Sequence, residues 1–314
     1  MNAPTTLAPF ILNYEHVFIS NSLLLYADCF QWMKQIQPES VHAIVTDPPY
    51  GVKEYDPKQL EKRTNGNGGV WRIPPSFDGH TRSPLPRFTA LNQAERRNVQ
   101  QYFFDWAGLA LQILRPGGHV ILASNTFLSQ IVFTAVADAG FEFRGQIVRL
   151  VRTLRGGDRP KNAEKEFPDV CTMPRGCYEP WGIFRKPMPP KMTVSNCLRT
   201  YQTGGLRRKP NGKPFEDIIN SERTPRRERD IADHPSLKPQ SFLRQIVYAA
   251  LPLGKGIVVD PFMGSGSTVA AAEAVGYTCI GLERLPNYYK MSIDAASRLA
   301  EIPTLEQQLP LALT

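Results

Sequence analysis

The chain has no run of eighteen apolar residues and no charged leader followed by an apolar core. The expectation is therefore a soluble, cytoplasmic protein with no helical membrane span, no secretory signal and no membrane partner. Its five cysteines, Cys29, Cys171, Cys177, Cys197 and Cys279, form no C-x-x-C pair. An odd count without ligand spacing reads as reduced structural thiols and gives no metal site. No internal repeat is evident. Acidic residues are outnumbered, 29 Asp and Glu against 37 Lys and Arg, for a formal charge of +8. That balance suits a polyanionic partner, although charge speaks of electrostatics and not of fold. What the chain has is 314 residues at 42% hydrophobic, enough for one sizeable core with an inserted lobe.

The most informative element is Asp47-Pro48-Pro49-Tyr50, which follows the apolar run 41–45. Asp47 offers a carboxylate acceptor, and the Pro48 carbonyl a second one held by the restricted proline backbone. Tyr50 adds an aromatic face. Two acceptors and a ring suit the exocyclic amine of a planar base. Asp-Pro is also a common turn initiator, so the element needs context.

The context lies at 257–268, where an apolar strand ending in Asp260 is followed by Phe262, Gly264, Gly266, Ser267 and Thr268. The alanine-rich stretch 269–274 favours helix, Gly276 stops it, and 277–282 reads as a second strand ending at Glu283. Such a β-α-β unit lets backbone approach a ligand at the glycines and places a carboxylate where ribose hydroxyls can donate to it. The third glycine of the dinucleotide fingerprint is absent, because Val269 stands there.

Taken together these segments resemble the β-class amino-methyltransferases that act on DNA, in which the Asp-Pro-Pro-Tyr element precedes the cofactor loop. Phe262, Gly264 and Gly266 match that loop's Phe-x-Gly-x-Gly. His234-Pro235-Ser236-Leu237-Lys238-Pro239 matches a His-Pro-x-x-Lys-Pro segment upstream, where the family often has Thr-Gln in the middle. Ala27-Asp28-Cys29 resembles the family's Gly-Asp-Cys. The resemblance spans residues 27–289. It implies an α/β fold with a Rossmann-like, seven-stranded, mostly parallel methyltransferase sheet, circularly permuted, with an inserted target-recognition region. It implies S-adenosyl-L-methionine as cofactor, with Asp260, Phe262, Gly264, Gly266, Ser267 and Thr268 around it. Glu283 would hold its ribose, Asp28 its adenine and Lys238 its carboxylate. Asp47, Pro48, Pro49 and Tyr50 would act on a base flipped out of double-stranded DNA.

Direct attack by an amine needs alignment and electrostatics but no enzyme nucleophile. Cytosine-C5 chemistry needs a cysteine that in such enzymes typically follows proline, and no cysteine here does. Asp at the head of the tetrapeptide is typical of N6-adenine members, whereas Ser is more typical of N4-cytosine. N4-cytosine methylation is the alternative within enzymes, and a catalytically silent DNA-binding subunit the alternative outside them. A homodimer and a companion restriction or defence component stay open.

Expected organisation is a catalytic half at 13–151 after a loose leader, a basic recognition region at 152–233, a cofactor half at 234–300 and a tail at 301–314. Short strands are expected at 17–19 and 23–26, and helices at 30–36, 96–114 and 127–139. Arg115-Pro116-Gly117-Gly118 should stop the second helix before a strand at 119–123, and another strand is expected at 144–151. The long Gly- and Pro-rich stretch 51–91 reads as a lid or a solvated insertion. Between Arg185 and Arg229 stand twelve Lys or Arg against four Asp or Glu. Arg207, Arg208, Lys209, Arg226 and Arg227 are therefore candidates for DNA phosphates, with Arg152, Arg155, Arg159 and Lys161 as a second strip. Trp181 and Tyr178 could stack on bases, but Trp181 among apolar neighbours reads as core. His119 reads as a packed histidine.

Overall fold

A computed structural model of the chain describes residues 5–49, 93–151, 157, 159–160, 162–234 and 236–304. Tyr50, the stretch 51–91, Arg152, Arg155, Lys161, Pro235 and most of the 301–314 tail lie outside the described residues.

Nine strands form one sheet among the described residues: β1 (Glu15–Ile19), β2 (Ser22–Tyr26), β3 (Val41–Thr46), β4 (Leu114–Ala123), β5 (Glu142–Leu150), β6 (Tyr178–Arg185), β7 (Ile218–Asn220), β8 (Ile257–Asp260) and β9 (Thr278–Glu283). Their order is β1-β2-β9-β8-β3-β4-β6-β5-β7. The pairs from β2 through β9, β8 and β3 to β4 are parallel, and β6 runs antiparallel between β4 and β5. The expected seven strands are the inner ones. β1, a hairpin arm on β2, and the three-residue β7 add the two edges.

Every residue of β3 is buried, as a strand covered on both faces requires. One face carries α2 (Cys29–Gln35), α3 (Gln93–Ile113) and α4 (Ser129–Asp138), which pack Trp32, Phe103, Trp106 and Val132 onto Val41, Ile44 and Leu122. The other carries α7 (Gln240–Ala250) and α8 (Ser267–Ala274), with Phe242, Ile246, Val269 and Ala272 against Val45, Ile121 and Val258. α9 (Pro286–Ala300) starts with proline at its first turn, where the missing N–H costs nothing, and packs against α8 and the strands β1, β2 and β9.

Three local expectations change. Residues 5–11, expected to be loose, form a 3-10 turn and α1 (Ala8–Ile11). They bury Leu7 and Phe10, and the Trp32 indole donates to the Phe10 carbonyl at 2.9 Å. Arg115–Gly118 does not separate helix from strand. β4 begins at Leu114 and absorbs the irregularity as a register shift against β3, with Gly117 at φ +75°. Residues 152–233 do not stand apart from the sheet, because they supply β6, α5 (Val194–Tyr201), β7 and α6 (Arg226–Arg229). Trp181 is fully buried on β6 against Phe242, whereas Tyr178 is exposed at the strand's start. His119 is buried on β4, and burial, then Arg185 and Arg144, push its pKa down to about 3.

Candidate active site at the carboxyl ends of β3 and β8

β3 and β8 are adjacent, yet their following strands lie on opposite sides: β4 beyond β3, β9 beyond β8. A crevice at the carboxyl ends of such a pair is where ligands bind in open α/β sheets. Asp47 leaves β3 there and Asp260 ends β8. The Thr46 hydroxyl donates to Asp260 Oδ1 at 2.6 Å and ties the two together across 214 residues. Asp260 Oδ1 also accepts from the Phe262 amide at 3.1 Å and so shapes the turn. Burial raises the Asp260 pKa to about 6, against the hydrogen bonds from Thr46, Thr268 and Phe262.

Glycine is required at the turn. Gly264 has φ +53°, and a Cβ there would lie 2.9 Å from Nε2 of His234. Gly266 has φ +83°, and its Cβ would come 3.1 Å from Ala296. His234, from the His-Pro-x-x-Lys-Pro segment, thus braces the turn; its ring also meets Tyr288 at 4.4 Å. Leu237 fills an apolar cluster with Ala270 and Leu299 instead of making a polar contact. Ser267 and Thr268 open α8 and are buried.

Glu283 ends β9 beside the turn. Its Oε2 accepts from the Gly264 amide at 3.1 Å and its Oε1 from Leu285 at 2.7 Å. Each carboxylate oxygen has a second lone pair, so Glu283 can hold the loop and accept from a diol together. Burial raises its pKa, against the amides of Leu285, Gly264 and Arg284. Asp28 caps α2, its Oδ1 accepting from Phe30 and Gln31. The Phe262 ring lies 6.1 Å from Trp106. A glycine turn with no room for side chains, flanked by carboxylates and aromatic rings, fits an adenosyl group carrying an amino-acid tail.

Lys238, expected at a cofactor carboxylate, is held by two carboxylates of the chain. Its ammonium is 2.5 Å from Asp47 Oδ2 and 3.5 Å from Glu179 Oε2. Glu179, at the start of β6, further meets Arg149 of β5 at 3.4 Å and accepts from the Trp181 indole at 2.8 Å. Asp47, Lys238, Glu179 and Arg149 form a ladder of alternating charge along the top of the sheet. Burial opposes the Lys238 charge, yet Asp47 and then Glu179 raise its pKa. Burial likewise opposes the Glu179 charge, but Lys238 and Arg149 hold that carboxyl below its ordinary range. Sequence reasoning misses Glu179, Arg149 and Thr46, because nothing local marks them.

The basic candidates separate. Arg207 stacks on Tyr248 at 4.3 Å and donates to the Tyr277 hydroxyl at 2.7 Å, and its amide bonds the Ala249 carbonyl. Tyr277 precedes β9 and Ala249 is near the end of α7, so Arg207, Arg208 and Lys209 lie at the amino ends of the strands, away from Asp47. Lys209 pairs with Glu216 at 2.6 Å, and Arg208 donates to the Gly212 carbonyl. Arg226 and Arg227 stand on α6, where Arg227 donates to the Pro303 carbonyl at 3.0 Å. Their helix α6 carries buried Glu228, which caps the first amide of α7 at Gln240, and Gln240 in turn donates to the Ser267 carbonyl. Arg226 is 87% exposed beside Asp230. Arg159 lies on the surface.

A family model described as DNA methylase, for N6 and N4 methyltransferases, matches residues 41–294. The chain is 22% identical over 270 residues to the Type II methyltransferase M2.DpnII of Streptococcus pneumoniae, covering 86% of this chain and 87% of that one. It is 24% identical over 272 residues to M2.LlaDCHI of Lactococcus lactis subsp. cremoris, covering 87% and 88%. Among solved structures, a DNA modification methylase of Thermus thermophilus, TTHA0409, complexed with S-adenosyl-L-methionine, aligns with a TM-score of 0.52 at 17% identity, covering 88% of this chain and 94% of that one. The PvuII DNA methyltransferase (cytosine-N4-specific) aligns with a TM-score of 0.54 at 15% identity, covering 91% and 88%.

Proposed function

Since the chain belongs to the DNA methylase family whose members modify the N6 amine of adenine or the N4 amine of cytosine, we propose that it methylates adenine N6 in double-stranded DNA. The carrying observation is Asp47, set at the switch point beside the glycine turn and paired with a buried lysine. Asp at this position is the form typical of the adenine members. S-adenosyl-L-methionine supplies an electrophilic methyl group on a sulfonium. The chain's own residues do the rest. Asp47 and the Pro48 carbonyl accept the two amine hydrogens and orient the nitrogen lone pair, and Tyr50 stacks on the base. Asp47 offsets the positive charge that grows on nitrogen and accepts its proton's hydrogen bond as the C–N bond forms. Lys238 holds Asp47 in place from behind. The glycine turn, Glu283 and Asp28 hold the cofactor's backbone-facing, ribose and adenine parts.

Sequencing of modified bases in DNA from cells expressing the chain tests this reading: N6-methyladenine at a fixed site is expected, and N4-methylcytosine would reassign the base. Glu283→Ala should weaken S-adenosylmethionine binding in calorimetry roughly ten- to hundred-fold, as the loss of a charged hydrogen bond of about 1.5 to 3 kcal/mol implies. DNA affinity should not move.

Phosphate contact falls, in this reading, to Arg226 and Arg227 at the crevice end. Replacing Arg207, Arg208 and Lys209 with alanine should lower the melting temperature, because Arg207 is docked on Tyr248. It should leave the slope of log DNA affinity against log salt unchanged. A flattened slope, approaching about 0.9 unit per lost phosphate contact, would return the duplex to that cluster.

A further inference from the structure

β4 ends at Ala123, in register with Trp181 of β6, and Leu122 is in register with Thr46 of β3. Ser124 and Asn125 therefore leave the sheet between Asp47 and Glu179, the two carboxylates that share Lys238. The Ser124 amide donates to Pro180, next to Glu179. The Ser124 side chain is fully buried, and its hydroxyl has no hydrogen-bond partner among the described residues. Asn125 is 9% exposed. Its Oδ1 accepts from the amides of Phe127 at 2.9 Å and Leu128 at 3.0 Å, which fixes the side chain at the start of α4. Its Nδ2 is buried, again with no partner among the described residues.

Buried polar groups in native proteins are nearly always paired, and each exception calls for a reason. Two exceptions on successive residues, beside the carboxylate assigned to an amine, have a common one. We propose that Asn125 Nδ2 and the Ser124 hydroxyl are a base-reading wall of the pocket, donating to the ring nitrogen that flanks the exocyclic amine of the target base. Adenine carries only acceptors, N1 and N7, beside its N6 amine. Acceptors for the amine at Asp47 and Pro48, with donors for the ring nitrogen at 124 and 125, complement that pattern. Guanine and thymine present a carbonyl beside a ring N–H, the reverse pattern. They would leave donor facing donor, and a site built to hydrogen-bond one pattern rejects its opposite strongly.

The inference rests on the adenine reading above, and its test separates the two. Ser124→Ala removes a hydroxyl that bonds nothing among the described residues. Asn125→Asp keeps the acceptor for Phe127 and Leu128, replaces the donor with a second oxygen and adds a charge, which the analogue comparison below separates from the contact. Both variants should stay folded by circular dichroism and bind S-adenosylmethionine as the wild type does. Transfer to unmodified duplex, as kcat/KM, should drop about ten-fold for Ser124→Ala and about a hundred-fold for Asn125→Asp. With 1-deazaadenine or 7-deazaadenine at the target position, the wild type should lose a similar factor on one analogue. Asn125→Asp should lose nothing further on that analogue, the non-additivity expected of a direct contact. Wild-type rates in both folded variants, or losses that simply add for both analogues, overturn the inference and leave adenine methylation standing. A wild type that never methylates unmodified duplex adenine overturns both.

Discussion

Asp47→Asn should abolish methyl transfer while the fold and the cofactor affinity survive. The amide keeps the volume of the carboxylate and can still accept from Lys238, which is 2.5 Å away. It cannot offset the charge that grows on the attacking amine, and loss of one such electrostatic contact costs about 100- to 1,000-fold in rate. S-adenosylmethionine affinity should stay within a few-fold, because the proposed cofactor site lies on β8, β9 and the turn at Gly264. Asp47→Ala should be equally inactive and less stable, since it leaves Lys238 with Glu179 alone at 3.5 Å. Near-normal turnover by a folded Asp47→Asn protein in a tritiated-methyl assay would remove Asp47 from the chemistry.

The second large effect belongs to Lys238. Lys238→Met removes the cation that touches both Asp47 and Glu179 in the ladder. Breaking a buried pair from one side typically costs about 3 to 5 kcal/mol, because the charge left behind has lost its compensation. Urea denaturation should register that loss, and methylation should fall with it as Asp47 loses its anchor. The pH dependence has a definite sign. Lys238 has a raised pKa, so its contribution is present through neutral pH and is lost only as pH climbs above the ordinary lysine range. Glu179 has a lowered pKa, so its contribution is lost on the acid side, as pH falls below the ordinary glutamate range. In Lys238→Met the acid limb should move to higher pH, with Arg149 left to hold Glu179 ionised. A variant as stable and as active as the wild type would reduce the Lys238–Asp47 contact to an incidental one.

What is legible in the sequence follows physical lines. The runs at Val41–Thr46 and Ile257–Asp260 are apolar nearly throughout because both strands are covered on both faces, and that leaves a plain mark. Gly264 and Gly266 are legible because their backbone angles admit little else. β6 is not legible as a strand of the sheet, because it opens with Tyr178-Glu179-Pro180 and takes its ladder partners from segments far away in the chain. The Lys238–Asp47 pair is not legible either, because the two residues are 191 positions apart. Arg207 reads as a DNA-phosphate candidate in a basic stretch; its partners Tyr248 and Tyr277 give no local sign of a stacked guanidinium. Ser124 and Asn125 look like an ordinary strand exit, and only the missing hydrogen bonds single them out.

The strand order also governs how the molecule can be made. β3 meets β4 soon after synthesis, but its other neighbour, β8, begins at Ile257, and β2 waits for β9 at Thr278. Until the β8 segment has left the ribosome, the central strand Val41–Thr46 has one side unpaired, with every side chain apolar or destined for burial. Open apolar edges of this kind recruit other strands, and pairings across such long separations form late. Chains cut short before Ile257 should therefore collect in aggregates instead of persisting as inactive half-enzymes. For the same reason, no partly made chain can grip a base in DNA before it can also hold the cofactor.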